Sequence, residues 1–220
     1  MYRILKHKWE DRSKIYVSSD WHIYHDPNWA SPIWETRGWD NATHAAEGTL
    51  QKINDTVPED GILYYLGDGF LNTSDEQCMK WLNAINCKDI RYLFGNHESN
   101  IYRLYKQEVL KQFGRDDIEV YPLKMGNITF VGNHLEIQVG KQRIVLNHFP
   151  LRIWNGCHRF TWNLSGHSHL NDPLRRPEHP LAKAMDVGID YGKVWSFEDI
   201  QEIMSTKTVE LIDHHDKDTN

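Results

Sequence analysis

Apolar positions along this chain follow two different periods, and the changes of period mark out its elements. Runs rich in β-branched and aromatic residues recur at 14–19, 62–66, 90–94, 128–131, 135–139 and 143–147, and each predicts a strand. Gly140-Lys141 separates the last two runs and predicts a tight hairpin. Between the early runs the period becomes helical. Ala46, Leu50, Ile53 and Val57 share one face, as do Cys78, Leu82 and Ile85, and then Ile101, Tyr105, Val109 and Phe113. Ser74 and Gln77, three apart, form a capping-box start for the second helix. Strand and helix alternate to about residue 115, and strands dominate beyond it. That order predicts an α/β first half and an antiparallel β second half. We read 1–205 as one domain and 206–220 as a polar tail that frays.

Residues 21–39 fit neither period. They hold Trp21, Trp29, Trp34 and Trp39 with Pro27 and Pro32, which predicts a long ordered loop. Its rings either pack a minor core or form an aromatic wall or lid beside a site.

Composition narrows the class. The chain has 220 residues, 40% hydrophobic and 25% charged, the profile of a soluble globular domain. No apolar run approaches a membrane span, and the Met1-Tyr2-Arg3 start lacks the apolar stretch of a signal peptide. Cys78, Cys87 and Cys157 are odd in number and form no C-x-x-C pair, so they read as reduced thiols. The expected location is cytoplasmic, with no membrane partner. The net charge of −6 argues against tight binding to duplex nucleic acid, which rewards a basic surplus. The 13 histidines are the unusual count, because histidine is the commonest metal ligand and acid–base side chain.

Those histidines fall with acidic and amide residues directly after five apolar runs. Asp20-Trp21-His22 follows the first strand, Gly67-Asp68 the second, and Gly95-Asn96-His97-Glu98 the third. Asn147-His148 follows the run ending at Leu146, and Gly166-His167-Ser168-His169 follows Asn163-Leu164-Ser165. Sites in open α/β sheets form where loops converge at the carboxyl ends of strands. Five such loops bearing ligand side chains would build a polynuclear metal centre. A second D-x-H, Asp213-His214-His215, lies in the polar tail and reads as solvated surface. D-x-H alone carries no weight, whereas G-N-H-acid and G-H-x-H together, in order, are specific.

With these five blocks in this order, the chain resembles the calcineurin-like metallophosphoesterase superfamily over about residues 14–201, and its small single-domain bacterial and phage branch most closely. Asn147-His148-Phe149-Pro150-Leu151-Arg152-Ile153-Trp154-Asn155 and Asp186-Val187-Gly188-Ile189-Asp190 are phrases typical of that branch. The resemblance implies two mixed β-sheets packed face to face and flanked by helices, a four-layer α/β/β/α sandwich. It implies two divalent transition metals, one held by Asp20, His22 and His169 and the other by Asn96, His148 and His167, with Asp68 bridging. The oxygen and nitrogen donors, without thiolate, suit Mn, Fe, Zn, Co or Ni. It also implies hydrolysis of a small phosphodiester or phosphomonoester, including nucleotide-derived ones, by attack of a metal-bound hydroxide. His97 would be the general acid, with Glu98 orienting the ligands behind it.

His25, three residues after His22, is a candidate phosphate contact or a packed loop residue. Arg152 and the pair Arg175-Arg176 are candidate phosphate neutralisers, set against ordinary surface arginines. Two features depart from the family's pattern: the Gly69-Phe70 after Asp68 and the tryptophan-rich loop. The competing functions are a non-catalytic interaction scaffold and a nuclease acting on short single-stranded ends.

Overall fold

The computed structural model describes residues 4–26 and 31–210. A six-stranded sheet carries the early elements. Its central strands are β2 (Ile15–Ser18), β3 (Ile62–Tyr65), β4 (Asp89–Tyr92) and β6 (Ile128–Phe130), all parallel. The antiparallel strands β5 (Leu123–Met125) and β11 (Trp195–Ser196) close its edges. The second sheet runs in the order β1 (Leu5–His7), β7 (His134–Val139), β8 (Gln142–Asn147), β9 (Trp162–Ser165), β10 (Ala184–Asp186).

Side-chain alternation tells each face where to go. On β3, Leu63 and Tyr65 face helices α2 (Ala42–Thr56), α3 (Asp75–Asn83) and α4 (Ser99–Phe113). Tyr64 and the following Leu66 instead join Ile15 and Val17 in the layer between the sheets, where they meet Ile137, Val139, Ile144, Leu146 and Leu164. Both faces of β3 are therefore buried, which explains its unbroken apolar run. The outer face of the second sheet is covered by Trp154, Cys157 and Ala182, packed on Val145 and Ala184. The result is two mixed sheets face to face, with α2, α3 and α4 outside the six-stranded one, an α/β sandwich as the family resemblance implies.

The second half is not simply antiparallel. Within the five-stranded sheet only β7 pairs antiparallel with β8, in the hairpin turned at Gly140-Lys141, while β1–β7, β8–β9 and β9–β10 are parallel. The crossovers from β8 to β9 and from β9 to β10 are loops with 3-10 turns at Cys157–Arg159 and Pro173–Arg175. They carry no helical period that would announce a parallel return. Short strands such as β1 and β11 also give too few residues to establish a period.

Helix α5 (Phe197–Thr206) was not read from the sequence, although its signals are there. Ser196 and Asp199 form a capping box, and Phe197, Ile200 and Met204 are buried on one face. The first residues of the polar tail contact the domain. Lys207 is buried and donates to the carbonyls of Arg176 and His179, and Thr208 bridges Leu181. The Asp213-His214-His215 repeat lies outside the described residues.

Trp21 and Trp39 pack against the core elements. Trp21 is buried, stacks on Tyr65 at 3.7 Å between centroids, and donates from Nε1 to Ser18 Oγ. Trp39 lies against α2 at Gly48, where a Cβ would overlap its ring. A short helix α1 (Ile33–Thr36) interrupts the expected loop, and Trp29 lies outside the described residues. No helix among the described residues is long and apolar enough to cross a membrane.

Candidate metal centre

The five motif loops leave the carboxyl ends of β2, β3, β4, β8 and β9, and backbone hydrogen bonds tie them together. Asp20 N–H donates to Gly67 O at 2.9 Å, His22 N–H to Asp68 O at 3.0 Å, and Gly166 N–H to His148 O at 2.9 Å. Two motif glycines are needed for this closeness. A Cβ on Gly95 would overlap the Asp68 carboxylate, and one on Gly166 would overlap Ser19 Oγ and the Asp20 carboxylate. Asp20, His22, Asp68, His167 and His169 all hold left-handed backbone, with φ from 45° to 70°. Such backbone at a non-glycine residue costs roughly 1–3 kcal/mol and gathers at functional sites. Its concentration on five candidate ligands marks this cluster out.

Two groups of donors result. The donor atoms of Asp20, His22 and His169 lie within 4.8 Å of one another, as do those of Asp68, His148 and His167. Asn96 joins the second group, its Oδ1 2.9 Å from His148 Nε2. Asp68 lies between the groups: its Oδ2 is 3.3 Å from His148 Nε2 and 3.7 Å from His22 Nε2. Its Oδ1 accepts the N–H groups of Asn96 and His97, both at 2.8 Å. Asp20 accepts the His167 N–H on both oxygens.

The polar balance of the cluster fits cations. Both ring nitrogens of His22 are buried without a hydrogen-bond partner among the described residues, and Nε2 stands 3.7 Å from both Asp20 Oδ1 and Asp68 Oδ2. His148 Nδ1 donates to Leu66 O at 3.0 Å in the tautomer that leaves Nε2 a lone pair. That lone pair faces Asn96 Oδ1 and Asp68 Oδ2, so three electron-rich atoms converge, and only a cation or a proton between them relieves the repulsion. Burial alone would raise the Asp20 and Asp68 carboxyls. The neighbouring imidazoles of His22, His169 and His148 bring Asp20 below its ordinary value, and His148 with the His97 N–H does the same for Asp68. Two ionised carboxylates with histidine nitrogens and an amide oxygen are a donor set for divalent transition metals.

A second ring of groups orients these donors. His169 Nδ1 pairs with Asp190 Oδ2 at 3.1 Å, the carboxylate–histidine pairing common behind metal-binding imidazoles. Arg37 Nε donates to Asp190 Oδ1 at 2.9 Å, and its other nitrogens donate to the carbonyls of Trp21 and Asp20. Sequence reasoning missed Arg37, which lies in the tryptophan-rich loop without a motif, and gave Asp190 no role. Glu98 is buried. Its Oε1 accepts from the backbone of Asp68 and Gly95, and its Oε2 from Tyr92 OH. Burial and the Asp68 charge push its carboxyl up to about 8. The Gly69-Phe70 step is built into the same wall: Ile23 N–H donates to Gly69 O, and α3 opens later, at Asp75.

The remaining candidates divide. His97 is exposed at the cluster's edge, its ring 5.8 Å from that of His22. His25 is also adjacent, 5.9 Å from His22 by ring centroids, but its Nδ1 accepts the Ile33 N–H. Burial, with His22, His97 and Arg37 nearby, lowers it to about 4, so it stays neutral in a packed loop near neutral pH. The arginines are engaged elsewhere. Arg152 forms a two-pronged pair with Glu210 at 2.7 and 2.9 Å. Arg175 is buried against Asn163 and Leu151 O, and Arg176 donates to Leu170 O. These contacts assign all three to holding loops and leave the phosphate-neutralising expectation without support.

The comparisons agree with this geometry. The family model for calcineurin-like phosphoesterases matches residues 13–216. The chain belongs to the calcineurin-like phosphoesterase family. A solved structure, a protein of unknown function, AQ665, from Aquifex aeolicus, is similar in fold with a TM-score of 0.56 at 16% identity. The similarity covers 86% of this chain and 98% of that one. No curated protein matches at a significant level. The family's chemistry is metal-dependent hydrolysis of phosphoesters, and this phosphoesterase carries two donor groups able to hold metals.

The outer ring makes one expectation specific. Arg37→Met removes the donor that holds Asp190 behind His169 and the Asp20 backbone. Loss of such an outer partner typically costs about 10–100-fold in metal affinity. Titration of the variant with Mn²⁺ should show a weakening of that size; an affinity equal to wild type would make Arg37 a loop fastener only.

Proposed function

We propose that this phosphoesterase is binuclear and hydrolyses small phosphate monoesters or diesters. The observation that carries the reading is the position of Asp68 Oδ2, which faces His148 of one donor group and His22 of the other. One carboxylate between two groups is the arrangement that two neighbouring cations require. Asp20, His22 and His169 would hold one, and Asn96, His148 and His167 the other.

When bound, two divalent cations supply Lewis-acid charge for the phosphoryl oxygens and activate a water. The protein's own residues do the rest. Asn96, neutral where a third carboxylate could stand, preserves the positive charge that attracts phosphate. His97, held by its backbone on Asp68, projects an exposed imidazole that protonates the leaving oxygen. His167 and Asn96, both exposed, open the cluster to substrate. Phe149 covers its flank, with its ring 4.6 Å from His167. The surplus of acidic residues favours a small ester over a polynucleotide. Buried free Cys78, Cys87 and Cys157 accord with a reducing, cytoplasmic location.

The test is a substrate screen of purified, Mn-loaded protein against aryl mono- and diesters, cyclic nucleotides and dinucleotide polyphosphates. Hydrolysis of at least one class should appear and disappear with a chelator. Stoichiometric metal without turnover of any ester would favour the interaction scaffold instead.

A further inference from the structure

A cavity of about 430 Å³ opens beside the second donor group. Asn96, the candidate ligand, forms part of its wall. Phe94 lies within it, and Tyr102 and Tyr121 stand edge-on to that ring, with centroids 5.7 and 6.2 Å away. Both tyrosines remain well exposed, at 39% and 38%. Tyr102 belongs to the first turn of α4, and Tyr121 precedes β5 and stacks on Tyr105. Two separate elements thus hold aromatic surface around one hollow, on a packed base that keeps it in place. Among the described residues no cationic side chain lines the cavity, and its polar rim includes Glu119 and Asn133.

Resting on the phosphoesterase reading above, we propose that this cavity receives a planar aromatic group of the substrate, so that the ester is a nucleotide or a close analogue. The size falls within the roughly 300–1,000 Å³ of small-molecule sites. The Glu119 carboxylate disfavours a second phosphate here, because the two anions would repel each other. The phosphate belongs on the donor clusters, and the group attached to it extends past Asn96 between Tyr102 and Tyr121. Stacking on aromatic rings accepts any base face, while Glu119 and Asn133 offer acceptors to ring or exocyclic N–H groups. A simple alkyl ester would leave the aromatic surface wet. A bulky sugar phosphate would fill the hollow without the stacking. The cavity therefore selects by shape and π-surface, and the metal cluster by charge.

The experiment measures binding apart from turnover. Metal-loaded protein is titrated by calorimetry with two nonhydrolysable phosphonate isosteres, one of adenosine monophosphate and one of ribose phosphate without the base. The adenosine compound should bind at least about tenfold tighter, in keeping with what a stacked base contributes. Tyr102→Ala should shrink that ratio towards one, and Tyr102→Phe, which keeps the ring, should restore it. Equal affinities in the wild type, or a ratio that survives Tyr102→Ala, would overturn the proposal. Circular dichroism of each variant confirms that the fold is retained, and Tyr121→Ala, on the opposite element, provides the same readout if Tyr102→Ala does not fold. A failure to hydrolyse any ester counts against the enzymatic reading alone, since the affinity ratio is read without catalysis.

Discussion

Asp68→Asn is expected to abolish phosphoesterase activity and to weaken metal binding at both donor groups. Asp68 Oδ1 is already used by the N–H groups of Asn96 and His97, while Oδ2 faces His148 and His22. An asparagine can present its carbonyl oxygen to only one side. If the oxygen keeps the backbone N–H groups, the amide NH2 points at the candidate cations; if it flips, a donor meets two donors. Either orientation removes the shared anion, so the loss should exceed the roughly 10–100-fold typical of an outer partner. Asp20→Asn should be milder and confined to one site, because Asp20 lies with His22 and His169. The comparison is made by elemental analysis and steady-state rates on both variants. Equal losses of metal and activity would show that Asp68 does not bridge.

His97→Ala should slow the reaction in a way that depends on the leaving group. An alkoxide must be protonated as the P–O bond breaks, whereas a nitrophenolate departs without help. Loss of a general acid typically costs about 10²–10⁴ in rate. That penalty is expected on alkyl or nucleoside esters and should be clearly smaller on aryl esters. Metal content should stay near wild type, because the side chain is exposed and its backbone N–H, which any residue supplies, makes the contact with Asp68. Equal rate losses on both ester types together with reduced metal content would assign His97 to the cage and remove it from proton transfer.

What the sequence discloses divides along physical lines. β3 was legible because both its faces are buried, and β4 and β6 because their alternate residues Ile90, Tyr92, Ile128 and Phe130 are. The candidate ligands were legible because the chemistry demands particular side chains at strand ends, and short strands cannot shift them far. The roles of Arg37 and Asp190 were not, since their contact joins residues 153 positions apart; Arg37 sits in no motif, and the phrase that holds Asp190 does not say what it touches. The parallel returns into β9 and β10 were hidden because loops, not helices, carry them. Helix α5 was legible in principle, from Ser196, Asp199 and the spacing of Phe197, Ile200 and Met204. Trp21 illustrates the opposite case: a conspicuous residue in a conspicuous loop that serves the core. Arg152 belongs with it, as a cation near a motif that its own neighbour Glu210 engages.

The most direct test of a binuclear centre is the metal content of the intact protein. After loading with Mn²⁺ and removal of the excess, inductively coupled plasma analysis should find two metal ions per chain. Asp68→Asn should fall below two under the same treatment. One ion per chain or none in the fully loaded wild type would contradict the account.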